Sequence, residues 1–143
     1  MHSAAAALDT PLAIGPARLP NRVFLAPMSG VTDAPFRRIA AAHGAGMVVS
    51  EMVASGELAN GRAESARRLE RIDGVAHVVQ LAGRDAAAMA EATRIAVGEG
   101  AEIIDINMGC PAKKVTGGYC GAALMRDPDQ AIRLVGAVVA AAA

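Results

Sequence analysis

Short apolar runs alternate with amphipathic stretches along most of this chain. The first run, "VFLAPM", predicts a strand over residues 23–28. Thr32 or Asp33 can then cap a helix that tolerates Pro35 in its first turn. Phe36, Ile39, Ala40 and His43 recur at i, i+3, i+4 and i+7, the spacing of one face of that helix, and Gly44 can end it. "MVVSEM" predicts a second strand over residues 47–52, followed by a loop with Gly and Asn and a polar helix over 62–71. "HVVQLAG" predicts a third strand over 77–83. Asp85 caps the next helix, which carries Ala88, Ala92, Ile95 and Ala96 on one face. "EIIDINMG" predicts a fourth strand over 102–109, and a Gly-rich loop follows over 110–126. Asp127, Pro128 and Gln130 supply a cap, a first-turn proline and an N3 amide for a last helix lined by Ala131, Val135, Val138, Val139 and Ala142.

Strands that alternate with helices pair in parallel under a helical layer, so the fold class is α/β. An open doubly wound sheet and a TIM barrel both satisfy this order. No G-x-G-x-x-G follows the first strand, which argues against a dinucleotide-binding sheet. Polar residues instead stand at the C-terminal ends of the strands: Ser29, Glu51, Gln80 and Asn107. TIM-barrel enzymes place their chemistry there. A whole barrel takes roughly 250 residues, and this chain has 143. The expectation is therefore about four βα units, the N-terminal half of a TIM barrel, over residues 14–143. Residues 1–13 are expected to be a frayed terminus. Side-chain alternation puts Ile103, Asp105 and Asn107 on one face of the fourth strand and Ile104, Ile106 and Met108 on the face toward the helices, and likewise sets Val78, Gln80 and Ala82 of the third strand opposite Val79 and Leu81.

Composition narrows the function. The chain is 53% hydrophobic and 20% charged, the balance of a folded domain. Aromatics make up only 2%, so Ala, Gly, Val and Ile must pack the core. Formal net charge is zero, so any nucleic-acid contact must be local or lie outside this chain. Lys113 and Lys114 are its only lysines. Two cysteines make no disulfide framework, and a reduced, cytoplasmic protein is the simplest reading. His2, His43 and His77 are too scattered for a zinc motif, so no metal is expected. No apolar run is long enough to span a membrane.

The candidate chemistry centres on "DINMGCPAKK". Gly109 clears space beside the backbone, and Pro111 biases Cys110 away from helical dihedrals. A thiol aimed in this way is a working group rather than packing. It is a nucleophile or a proton donor: no histidine lies nearby in sequence to activate it, and a thiol of ordinary acidity is mostly protonated near neutral pH. Cys120, in "GGYCGAAL", reads better as a small packing residue. "APMSG" ends the first strand where Pro27 removes a ladder donor. It is either a plain βα turn or a platform for a flat ligand. Gln80, on an apolar strand, is either a satisfied core amide or a partner for a heterocycle edge. Lys113, Lys114 and Arg126 are phosphate contacts or a solvated loop, and His43 receives no function.

"NRVFLAPMSGVTDAPFR", "VVSEM", "VQLAG" and above all "DINMGCPAKKVTGGYCGAAL" resemble the N-terminal half of a tRNA-dihydrouridine synthase, nearest the bacterial B-type branch. The resemblance implies an FMN-binding TIM barrel followed by a helical tRNA-binding domain. It implies reduction of a tRNA uridine to 5,6-dihydrouridine, with NADPH reducing FMN and hydride passing from the flavin to C6 of uracil. By the same resemblance Cys110 donates the proton to C5 and Asn107 holds the uracil. Pro27, Met28, Ser29 and Gln80 correspond to FMN contacts. The target base must leave its stack to reach the flavin. The family's later lysine and histidine, its FMN phosphate loops and its helical domain would lie past Ala143. Other FMN-barrel reductases, such as dihydroorotate dehydrogenases or ene-reductases, are the nearest alternative, against which the Cys-Pro block argues. A half-barrel acting only by association through exposed strand edges is the non-enzymatic one.

Overall fold

The computed structural model describes residues 7–143. Residues 1–6, the first six of the thirteen residues of the expected frayed terminus, lie outside the described residues. The rest of that stretch leads directly into a hairpin. β1 (Leu12–Ile14) pairs antiparallel with β2 (Ala17–Leu19).

The remaining strands are parallel. β3 (Phe24–Leu25) pairs with β4 (Met47–Val48), and a bridge from Val49 to Val78 continues the sheet into β6 (Val78–Ala82). β6 also pairs with β5 (Val53–Ala54) on the same side as that bridge and with β7 (Ile103–Ile106) on the other. The parallel runs therefore lie side by side in chain order, with no strand inserted between earlier ones.

The strands are shorter than the apolar runs, and side chains explain why. The run over 23–28 stops at Leu25 because Pro27 has no N–H and the Met28 N–H is taken by Thr32 Oγ1 at 2.9 Å. The run over 47–52 breaks in two. There the Ser50 hydroxyl donates to the Glu51 carbonyl at 2.9 Å and accepts the Gln80 N–H at 3.0 Å, replacing ladder bonds. The run over 102–109 ends where the Asn107 side chain takes over the following N–H groups.

Helices connect these strands: α1 (Ala34–Ala42), α2 (Ser55–Ala59), α3 (Ala63–Arg67), α4 (Ala86–Gly98), α5 (Lys113–Thr116) and α6 (Pro128–Ala142), with a 3₁₀ turn (Gly121–Arg126) before the last. Asp33, Asp85 and Asp127 cap α1, α4 and α6, each accepting the N–H three residues on. The main core lies between the sheet and α2, α4 and α6. Val79 and Leu81 meet Leu58, Met89, Ala92, Ala96, Leu134 and Val138, with Ile104, Ile106 and Met108 packed alongside. The expected parity of β6 and β7 is borne out.

Two helical faces differ from the expected ones. α1 buries Ala34 and Arg37, while Phe36 and Ile39 are exposed. Arg37 is drawn inward by the Thr32 and Glu70 carbonyls at 3.2 and 2.8 Å, which turns the apolar positions outward. α6 buries Leu134 and Val138, while Val135 and Val139 are exposed.

Candidate active site

The face of the sheet away from the helices carries a polar relay at the C-terminal ends of β6 and β7. Register sets Gln80 beside Asp105. Asp105 Oδ2 accepts from Gln80 Nε2 at 2.5 Å, and Gln80 Oε1 accepts from Asn107 Nδ2 at 3.0 Å. Asn107 Oδ1 then accepts the backbone N–H groups of Gly109 at 3.3 Å and Cys110 at 3.0 Å. Each member of the chain uses a donor or acceptor that would be costly to bury unpaired. Its last link fixes the backbone that carries the thiol.

A second tether completes that restraint. The Cys110 carbonyl accepts from Ala122 N at 3.0 Å, so the 3₁₀ turn presses on the loop from the other side. Gly121 makes the approach possible. Its φ is +58°, and a Cβ there would lie 2.6 Å from the Cys110 carbonyl oxygen and 3.3 Å from Asn107 Oδ1. The sequence pattern marked this segment only as Gly-rich.

Pro27, Ser29, Met52, Gln80, Asp105, Asn107 and Cys110 line a cleft of about 610 Å³ above these strand ends. The structure thus gathers Pro27, Ser29, Gln80, Asn107 and Cys110 at one place. Met28 stands outside the lining. Its backbone N–H and carbonyl are both held by the buried Thr32 hydroxyl, at 2.9 and 3.1 Å. Glu51 Oε1 accepts from Gly30 N at 2.5 Å and ties the first loop to the second strand's end. Lys113 and Arg126 line a neighbouring cleft of about 620 Å³, while Lys114 is an exposed residue of α5.

Three groups with displaced pKa values lie away from the cleft lining. Burial, assisted by the charges of Arg37 and Arg71, holds the His77 imidazole below its ordinary pKa. Burial also lowers Arg37, and it raises the Cys120 thiol, against which Arg84 acts weakly. Among the described residues no group of His, Cys, Asp or Glu gathers as a metal site, and no helix is long and apolar enough to cross a membrane.

Residues 24–143 match the protein family described as Dihydrouridine synthase (Dus). The chain belongs to the dihydrouridine synthase family. It is 65% identical over 121 residues to a probable tRNA-dihydrouridine synthase of Rhizobium leguminosarum, covering 85% of this chain and 38% of the relative. It is 52% identical over 129 residues to tRNA-dihydrouridine synthase B of Pseudomonas aeruginosa, covering 90% and 39%. A probable tRNA-dihydrouridine synthase of Rhodobacter capsulatus is 61% identical over 126 residues, covering 87% and 39%. The chain thus spans about two fifths of the length of these curated relatives.

In this member of the family several supporting roles were not legible in the sequence. Ser50 and Thr32 hold the backbones of Gln80 and Met28, and Met52 joins the cleft lining. Ser50 did leave a signal, as a small hydroxyl residue at a strand end, while Thr32 was legible only as a candidate helix cap. Met52 left none, because its place depends on the break between β4 and β5.

Proposed function

We propose that the chain supplies the flavin- and uracil-facing surface of an FMN-dependent enzyme that reduces uridine to 5,6-dihydrouridine in tRNA. The names of the relatives support the reaction. The relay from Asp105 through Gln80 and Asn107 to the Cys110 backbone is the observation that carries the assignment of roles. We infer further that the sequentially ordered parallel strands are the first half of a TIM barrel, because the polar residues crowd their C-terminal ends. A cytoplasmic location accords with a tRNA substrate.

FMN fits the cleft by the chemistry of its lining. Met52 and Pro27 offer apolar surface to a flat ring. After bonding Asp105 and Asn107, Gln80 retains one N–H and one carbonyl lone pair for a ring edge. When bound and reduced by NADPH, FMN supplies the hydride that adds to C6 of the uracil. Asn107 retains one N–H for a uracil carbonyl, where negative charge would collect as hydride adds to C6 across the C5=C6 double bond. Cys110 gives its S–H proton to C5, completing the addition of hydride and proton, and the thiolate regains a proton from solvent. Its tethered backbone holds the thiol at a constant approach to that carbon.

The roles are tested in a chimera, with this segment replacing the matching 129 residues of the Pseudomonas aeruginosa relative. The chimera is expected to form dihydrouridine in tRNA, read by mass spectrometry in a strain lacking its own synthases. Cys110→Ala is expected to keep the flavin absorbance and to lower turnover by roughly 100-fold or more. An unchanged dihydrouridine yield in that variant would sink the proton-donor role.

A second reading, association through uncovered surfaces, is favoured by the exposed Ile132, Val135 and Val139 on α6 and Phe36 and Ile39 on α1.

A further inference from the structure

Beside the candidate active site lies a second cleft, and its lining has a different character. Pro111 belongs to both clefts, so the two are contiguous across the Cys110 loop. The second is lined by Lys113, Thr116, Tyr119, Arg126 and Asp127 among others. Asp127 Oδ1 is engaged in capping α6, accepting from Gln130 N at 3.1 Å. Lys113 and Arg126, in contrast, take part in none of the ion pairs among the described residues, which join Arg38, Arg68, Arg71 and Arg94 to glutamates. The cleft therefore holds cations that form no ion pair among the described residues.

Tyr119 is the unusual member. It is 67% exposed, and its φ of +57° makes it the chain's one non-glycine residue in the left-handed region among those described. A bulky side chain adopts that region only at a conformational cost. Burial does not offset the cost, because the ring is in solvent. Arg84, at the tip beyond β6, lies with its guanidinium 5.0 Å from the ring centroid. Its backbone is held in turn, the carbonyl accepting from Gln130 Nε2. The ring is thus backed by a cation while the residue stays largely exposed to solvent. An aromatic platform beside unpaired cations is the arrangement that stacks a base and takes the phosphates next to it.

We propose that Tyr119, backed by Arg84 and flanked by Lys113 and Arg126, is a subsite for a nucleotide neighbouring the target uridine in a single-stranded stretch of RNA. The identity of the polymer rests on the function proposed above. The subsite holds the strand after the target base has turned into the first cleft. Tyr119 stacks on the adjacent base without reading it, and the two cations set the path of the backbone. In this way a chain with zero net charge concentrates its RNA contact at one place.

The chain carries a built-in reporter, since Tyr119 is its only tyrosine and it has no tryptophan. A fluorescein-labelled uridine pentanucleotide is titrated against the 143-residue chain at low salt, and anisotropy and tyrosine emission are followed together. Binding is expected with saturable quenching of the tyrosine at the same midpoint. Lys113→Ala/Arg126→Ala is expected to weaken binding at least tenfold and to flatten the dependence of log K on log salt by about 1.4, roughly 0.7 for each single-strand phosphate lost. Circular dichroism establishes that the variant is folded, and Arg126→Ala alone, expected to give about half the change in slope, serves if the pair is not. RNA binding that leaves tyrosine emission unchanged overturns the subsite, as does failure to bind RNA at all. Equal quenching by inorganic polyphosphate reduces it to an anion site and also overturns it. Quenching of free FMN emission, measured on the same samples, reports the first cleft separately, so loss of the RNA subsite is distinguished from failure of the flavin reading.

Discussion

Asp105 occupies a position that would be expensive for a carboxylate with no partner, and its value lies in direction. By accepting from Gln80 Nε2 it turns the Gln80 carbonyl toward Asn107, and this turns the Asn107 carbonyl toward the Cys110 N–H. Two amides that could each face either way are thereby set one way. His77 is the opposite case, a buried group whose Nε2 has no hydrogen-bond partner within the structure. Burial keeps the folded imidazole below its ordinary pKa of 6.5. As pH falls, the unfolded chain takes up this proton before the folded one does. The contribution of neutral His77 to stability is therefore complete above about pH 6.5 and is lost as pH falls from there toward the folded pKa. Urea midpoints measured from pH 7.5 down to 5 are expected to decline, and His77→Gln is expected to flatten that decline. Parallel slopes for the two proteins would count against it.

The helices begin where aspartates permit and face where buried polar groups direct them. α1 starts at the predicted Asp33, yet its inward position is Arg37 because two backbone carbonyls wait there. The segment between Cys110 and α6 is more ordered than a Gly-rich run suggests. α5 and the 3₁₀ turn fold back so that Ala122 N reaches the Cys110 carbonyl. Gly121 is the element's tightest point. Gly121→Ala is expected to destabilise the chain by on the order of 2 kcal/mol, since it adds left-handed strain to a backbone clash. The thiol loop should loosen with it, seen as faster amide hydrogen exchange at Cys110. An unchanged denaturation midpoint would mean that the turn relaxes freely.

Apolar surface is distributed unevenly over the molecule. β3 and β7 each have one strand neighbour among the described residues, and the helices beside them carry the uncovered residues. Ile132 and Val139 on α6 are 69% and 65% exposed, and Ile39 on α1 is 59% exposed. Contiguous apolar faces of this kind favour association. The 143-residue chain is expected to sediment as a concentration-dependent mixture of monomer and larger species. Ile132→Glu/Val139→Glu is expected to shift that mixture toward monomer without altering circular dichroism. A wild-type chain that stays monomeric at high concentration would exclude the association reading.

The alternation of β-like and helical runs, the aspartate caps and the two faces of β6 and β7 were all readable from the sequence, because they depend on neighbours within a few residues. So was the likeness to a tRNA-dihydrouridine synthase, carried by the Asn-x-Gly-Cys-Pro block. Strand lengths were not readable, since Thr32 and Ser50 compete for backbone groups only once the chain has folded. The outward turn of Phe36, Val135 and Val139 was hidden for the same reason: periodicity reports an apolar stripe but not which stripe finds a partner. Sequence alone named Gln80, Asn107 and Cys110 as separate candidates. Only the tertiary structure joined them through Asp105, because parallel register sets residues 25 positions apart side by side.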